Sequence, residues 1–116
     1  MCAAMRLICA TLIVLVVSPD MGFAMNAGLG AFTCFQFATA YGEDQASEYK
    51  YFAWAQGYMS ALSAARSDKA VVDLDPLSFD VTDQMDFMLS YCATNPSRTY
   101  ASGIDRLYAR LQRKLQ

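Results

Sequence analysis

Apolar residues recur at helical spacing in four stretches of this chain. In the first, Ala31 to Tyr41, the residues Phe37, Ala38 and Tyr41 follow Cys34 at +3, +4 and +7, one helical stripe. Thr33 can cap this helix, and Gly42-Glu43-Asp44 ends it. The second stretch is the longest. Asp44 or Ser47 caps it, Glu48 stands in its first turn, and it runs to about Ala65 or Arg66. Its stripe is Tyr51, Trp54, Ala55, Tyr58, Leu62 and Ala65. Gly57 interrupts it at a cost of about 1 kcal/mol against Ala. Such a glycine usually admits another helix at close range; a ligand seated over it is the alternative. In the third stretch Thr82 caps a helix from Asp83 to about Thr94, with Met85, Met88, Leu89 and Cys92 inward. Asn95-Pro96 ends it and opens the fourth, with Asn95 as cap and Pro96 at the first helical position. The fourth runs from Ser97 to near Leu115, with Tyr100, Ile104, Leu107, Tyr108, Leu111 and Leu115 on one face. The pattern predicts an all-α, four-helix domain without repeats.

Between the second and third helices, Ser67 to Val81 has no helical period. Asp68, Asp73, Asp75 and Asp80 alternate there with Val71, Val72, Leu74, Leu77 and Phe79. This reads as a long acidic connection whose apolar residues cover the core, with a short edge strand at Ala70–Leu74 as an option. It is not a calcium loop, because it has neither the central glycine nor the closing glutamate.

The front end is of another kind. Arg6 precedes an apolar run of 11 residues, Leu7 to Val17. A membrane span needs about 20. Pro19 and Asp20 break the run, and Gly22-Phe23-Ala24 puts small residues at −3 and −1 of a cleavage site. Residues 1–24 therefore read as a secretory signal peptide, with Met5 as an alternative start and an uncleaved anchor as the competing reading. Cys9 follows Leu7-Ile8, which is no lipobox. Met25 to Gly30 is expected to be a loose start to a domain spanning 25–116.

Removing 1–24 takes one acidic residue (Asp20) of 11 and one basic residue (Arg6) of 9, leaving a net charge of −2. That argues against a nucleic-acid partner, which calls for a clustered basic surface. The basic residues Arg106, Arg110, Arg113 and Lys114 suit the dipole at the end of the last helix, and an anionic binding site is the competing explanation. The chain has no histidine, the commonest general base and metal ligand. No cofactor, metal site or catalytic centre is expected, and the protein is read as a non-enzyme. Aromatic and methionine residues are more than so small a core needs, which puts part of them at a surface or interface; the alternative is that all of them are core.

Only Cys34 and Cys92 remain after the signal. Two cysteines in an exported domain are expected to pair, tying the first helix to the third. In the chain-entropy account such a loop is worth about 4 kcal/mol.

The opening Phe32-Thr33-Cys34-Phe35-Gln36-Phe37 resembles the aromatic-Thr-Cys-x-x-Phe start of the HdeA/HdeB family of small periplasmic acid-stress chaperones. Val81-Thr82 opening a helix that ends in Cys92, followed by a basic last helix, is similar too. That resemblance implies a paired Cys34 and Cys92. The stretches Trp54 to Leu62 and Tyr91 to Pro96 also resemble the Rap1a/Tai family of periplasmic immunity proteins against peptidoglycan-cutting toxins. The spacing between the cysteines is longer than in the best-known chaperone of the first family, and a C-terminal cysteine of the second is missing.

Two functions follow as expectations, both non-catalytic, both periplasmic, and neither membrane-bound after signal cleavage. In the first, the domain is compact at neutral pH, as a monomer or a homodimer. Below about pH 3 its carboxylates protonate and its self-repulsion grows. Phe35, Phe37, Trp54, Tyr58, Met59 and Met88 then hold unfolded protein clients while the disulfide limits the opening. In the second, a fixed surface, foremost the Asp73–Asp80 loop, plugs the cleft of one partner enzyme.

Overall fold

The computed structural model describes residues 28–68 and 71–113. The expected signal at 1–24 and Leu115 lie outside the described residues. Four helices follow a 3-10 turn at Gly28–Ala31: α1 (Cys34–Tyr41), α2 (Gln45–Ala64), α3 (Val81–Thr94) and α4 (Tyr100–Arg113). The architecture is the all-α, four-helix one that the periodicity predicts. No strand forms among the described residues, so the optional edge strand is absent over 71–74; the single extended pairing is a bridge between Thr33 and Thr99.

Thr33 starts α1 with a full capping box: its Oγ1 accepts from Gln36 N at 3.2 Å, and Gln36 Oε1 accepts from Thr33 N at 2.8 Å. The disulfide joins Cys34 on α1 to Cys92 on α3, with 4.8 Å between Cα atoms. Asp44 caps α2 by accepting from Ser47 N at 2.7 Å. α3 and α4 run antiparallel, since Gly103 faces Met88 and Tyr91 while Arg110, two turns on, reaches Phe79 and Phe87. α1 lies against this pair, and α2 lies across α1, α4 and the 3-10 turn.

An aromatic cluster fills the centre. Phe37 packs at 5.0 Å from Tyr51 and 4.7 Å from Tyr100, and Tyr51 meets Tyr100 edge-on at 4.9 Å. Cys34, Met59, Met88, Ile104, Leu107 and Leu111 complete the core.

Several local expectations are corrected. Asp80, not Thr82, caps α3, with its carboxylate accepting from Asp83 N at 3.1 Å. The Asn95-Pro96 start of the last helix does not form. Asn95 closes α3, and the backbone of 96–99 is recruited elsewhere: Cys34 N donates to Arg98 O at 2.7 Å and Phe35 N to Pro96 O at 3.0 Å. Thr99 Oγ1 then takes the capping role by accepting from Ser102 N at 3.2 Å. Gly57 is exposed and admits no helix, because a Cβ there meets nothing within 4 Å. The close approach occurs at Gly103, where a Cβ would overlap the Met88 methyl group and stand 3.0 Å from Tyr91 Cδ1. Ala38 and Ala65 face solvent, and the buried inner line of α2 is Tyr51, Ala55 and Met59. Of the loose start expected over Met25 to Gly30, residues 25–27 lie outside the described residues, and Gly28–Gly30 form part of the 3-10 turn with Gly30 buried under the Trp54 ring.

Candidate functional site

The best-defined candidate surface grows from the start of α1. Three backbone hydrogen bonds weld this segment to the α3–α4 turn, the third running from Tyr100 N to Phe32 O at 2.8 Å. The disulfide pins the same residues from below. On this frame Phe35 keeps 67% of its surface exposed and Phe32 43%. Two phenyl rings held toward water on a rigid frame suit protein recognition.

Of the six candidate binding residues, Phe35 is thus presented directly. Trp54 and Tyr58 are half-buried and stacked at 4.9 Å with 14° between planes. Phe37, Met59 and Met88 are fully buried. They reach a partner only if the helices separate. Phe32 was singled out by its place in the opening motif and not as a binding residue, because no local pattern separates an exposed aromatic from a buried one.

The Asp-rich connection is the second surface. Val72 and Phe79 plug into the core, and the Gln84 side chain holds the backbone between them. Its Nε2 donates to Leu74 O at 2.9 Å and Phe79 O at 3.2 Å. Gln84 is fully buried, and sequence reasoning missed it because a polar residue beside Met85 reads as surface. Val71 and Leu77 do not cover the core as expected; both point outward, Leu77 fully exposed. Arg110 stacks over the Phe79 ring at 4.2 Å.

Four tyrosines titrate away from their ordinary value. Burial pushes Tyr100 well above its ordinary value, and Tyr51 also rises by burial. Tyr58 is pushed up to about 12, first by burial and then by donating to Asp105 at 2.9 Å. Tyr41 is raised by burial and by the neighbouring carboxylates Glu48 and Asp86. These phenols stay neutral at physiological pH. Among the described residues no group of three or more His, Cys, Asp or Glu is placed to hold a metal ion. No helix among them is long and apolar enough to cross a membrane.

The described residues form an all-α fold stapled by the Cys34–Cys92 disulfide. No protein-family model matches the chain, and no curated protein or solved structure is significantly similar to it.

Proposed function

We propose that this chain is an exported, non-catalytic protein-binding domain of the acid-stress chaperone kind, as its resemblance to the HdeA/HdeB family implies. The observation that carries the reading is the uneven way the helices are fastened. α1 and α3 are joined covalently through Cys34 and Cys92. α2 has no such tie; its start is capped by a carboxylate, and its middle is joined to α4 through one.

The Asp44 carboxylate caps its start, and Asp105 accepts from Tyr58 at 2.9 Å. Bonds from Ser47 hold the Asp44 carboxyl below its ordinary value. A depressed folded-state value means that this contribution is present above the unfolded value and lost as pH falls through the folded one. Acid therefore loosens the start of α2, while the disulfide keeps α1 on α3.

What α2 covers is apolar. Tyr51 and Trp54 lie on the Phe37–Tyr100 pair, and Met59 is fully buried beneath the helix. Lifting α2 adds Trp54, Tyr58, Met59 and Phe37 to the Phe35 surface. Met88 follows if α3 and α4 also part. Clients bind this enlarged apolar face, and neutralisation closes it again. The mature chain works in the periplasm.

The test is aggregation of a mixed periplasmic extract at about pH 2 to 3, with and without the purified oxidised protein. Suppression that disappears at neutral pH is expected. No suppression from a protein that remains disulfide-bonded and soluble refutes the chaperone reading.

A second reading has its own support. The Asp73–Asp80 connection is anchored by Gln84 yet displays Leu77 outward, a shape suited to plugging an enzyme cleft as the Rap1a/Tai resemblance implies. Tight capture of one peptidoglycan-cutting enzyme at neutral pH, lost in Leu77→Ser, would select it.

A further inference from the structure

We propose that the cleft between the starts of α2 and α3 is a binding site for a small organic ammonium ion, seated among aromatic rings with its charge toward Glu48. The cleft is open and has a volume of about 600 Å³. Sites for small ligands occupy about 300 to 1,000 Å³. Three elements build it. Tyr41 comes from the end of α1, Glu48, Tyr49 and Phe52 from one face of the first two turns of α2, and Val81 and Met85 from the start of α3. Met85 is buried and gives the cleft an apolar floor. Tyr41 and Phe52 are half-buried walls. Tyr49 keeps 70% of its surface exposed and takes no part in the core, so its ring can turn over an occupant.

The charge around the cleft selects that occupant. Segments 41–52 and 80–86 carry Glu43, Asp44, Glu48, Asp80, Asp83 and Asp86 against a single cation, Lys50. Among the described residues no cation forms an ion pair with any of these carboxylates; the ion pair found is Arg66 with Asp68. Arg110, which lines a neighbouring pocket with Asp83 and Asp86, lies over the Phe79 ring at 4.2 Å. The N-terminal ends of α2 and α3 oppose a cation with about half a positive charge each. Each is capped by a full negative charge, Asp44 on α2 and Asp80 on α3, so the carboxylates win. Two further carboxylates act on one wall: Glu48 from α2 and Asp86 from α3 both raise Tyr41, after burial.

Ring faces and a nearby carboxylate attract an organic cation, whose alkyl groups also suit Val81 and Met85. Among the described residues no group of three or more carboxylates is placed to chelate a metal ion, so the cation that fits is one held by rings and charge rather than by coordination. Such an occupant touches α1, α2 and α3 at once and fastens the start of α2. This inference goes beyond the client-binding reading and does not depend on it.

Calorimetric titration of the oxidised protein with choline at neutral pH and low salt tests it. The control is the neutral analogue of choline in which carbon replaces the ammonium nitrogen. Choline is expected to bind with a dissociation constant of about 1 mM or lower, and the neutral analogue about tenfold or more weakly. Choline also raises Tm, because it binds the folded state alone. Glu48→Gln and Tyr49→Leu, each with unchanged helicity, weaken binding about fivefold to tenfold. Asp73→Asn removes the same charge from outside the cleft lining and leaves binding unchanged. No binding of choline up to about 50 mM by the folded protein overturns the proposal. So does equal affinity for the neutral analogue, or binding indifferent to both Glu48→Gln and Tyr49→Leu. A lysine-containing peptide that binds this cleft while choline does not also overturns it, because the occupant is then a protein chain.

Discussion

Replacing Gly30 by Ala and Gly57 by Ala adds the same methyl group to two glycines with opposite surroundings. At Gly30 the new Cβ would overlap the Trp54 ring at Cζ2 and Cη2 and stand 3.0 Å from Cε2. The indole cannot yield easily, because it is stacked on Tyr58 at 4.9 Å and packed 5.8 Å from Tyr100. Overpacking of this kind costs about 1 to 3 kcal/mol. In a domain of this length that lowers Tm by about 5 to 15 °C. At Gly57 nothing lies within 4 Å, and the residue sits inside a 20-residue helix. Ala there gains about 1 kcal/mol of helix propensity and raises Tm by about 5 °C. Thermal unfolding of the oxidised protein, followed by helicity and by the emission of Trp54, the sole tryptophan, measures both. Gly30→Ala should also shift that emission, to the red if the 3-10 turn lifts and admits water. A Gly30→Ala protein as stable as wild type with unchanged emission would refute the packing account. So would a Gly57→Ala protein less stable than wild type.

Other outcomes follow from the same contacts. Asp44→Asn keeps a neutral cap on Ser47 N, so stability below about pH 4 should fall less steeply with acid than in wild type, as read by urea midpoints across pH. Reducing the Cys34–Cys92 bond, whose partners are 58 positions apart, should remove about 4 kcal/mol at neutral pH, measured by denaturant titration with and without reductant. Gln84→Leu leaves the carbonyls of Leu74 and Phe79 without its amide and should cost about 1 to 3 kcal/mol, with limited proteolysis shifting to residues 71–80.

The four helices were legible because each inner face repeats locally. Tyr100, Ile104, Leu107, Tyr108 and Leu111 are all buried, as their spacing requires, and Cys34 and Cys92 pair as two cysteines in such a domain should. Caps were legible at Thr33 and Asp44, which stand directly before their helices. They were misread at Asp80, which lies two residues ahead of the expected Thr82, and at Asn95. At Asn95 a sound local signal for a helix start was overridden by partners more than 60 positions away: residues 32, 34 and 35 take up the backbone groups around 96–100.

The candidate surfaces divide along the same line. Periodicity gives a residue's angle on a helix, so the sequence by itself determined the four helices, the buried stripe of the last one and the covalent tie between the first and third. It does not say which neighbour a face meets. Packing decided that Gly103 and Gly30, not Gly57, permit close approach. It decided that Phe37, Met59 and Met88 lie inside while Phe32, Phe35 and Leu77 face water. It also brought Arg98 from the α3–α4 turn and Arg106 and Arg113 from α4 to one groove. Each outcome depends on the rotation and docking of whole helices, which arise from contacts between residues far apart in the chain and leave no mark in any local stretch of it.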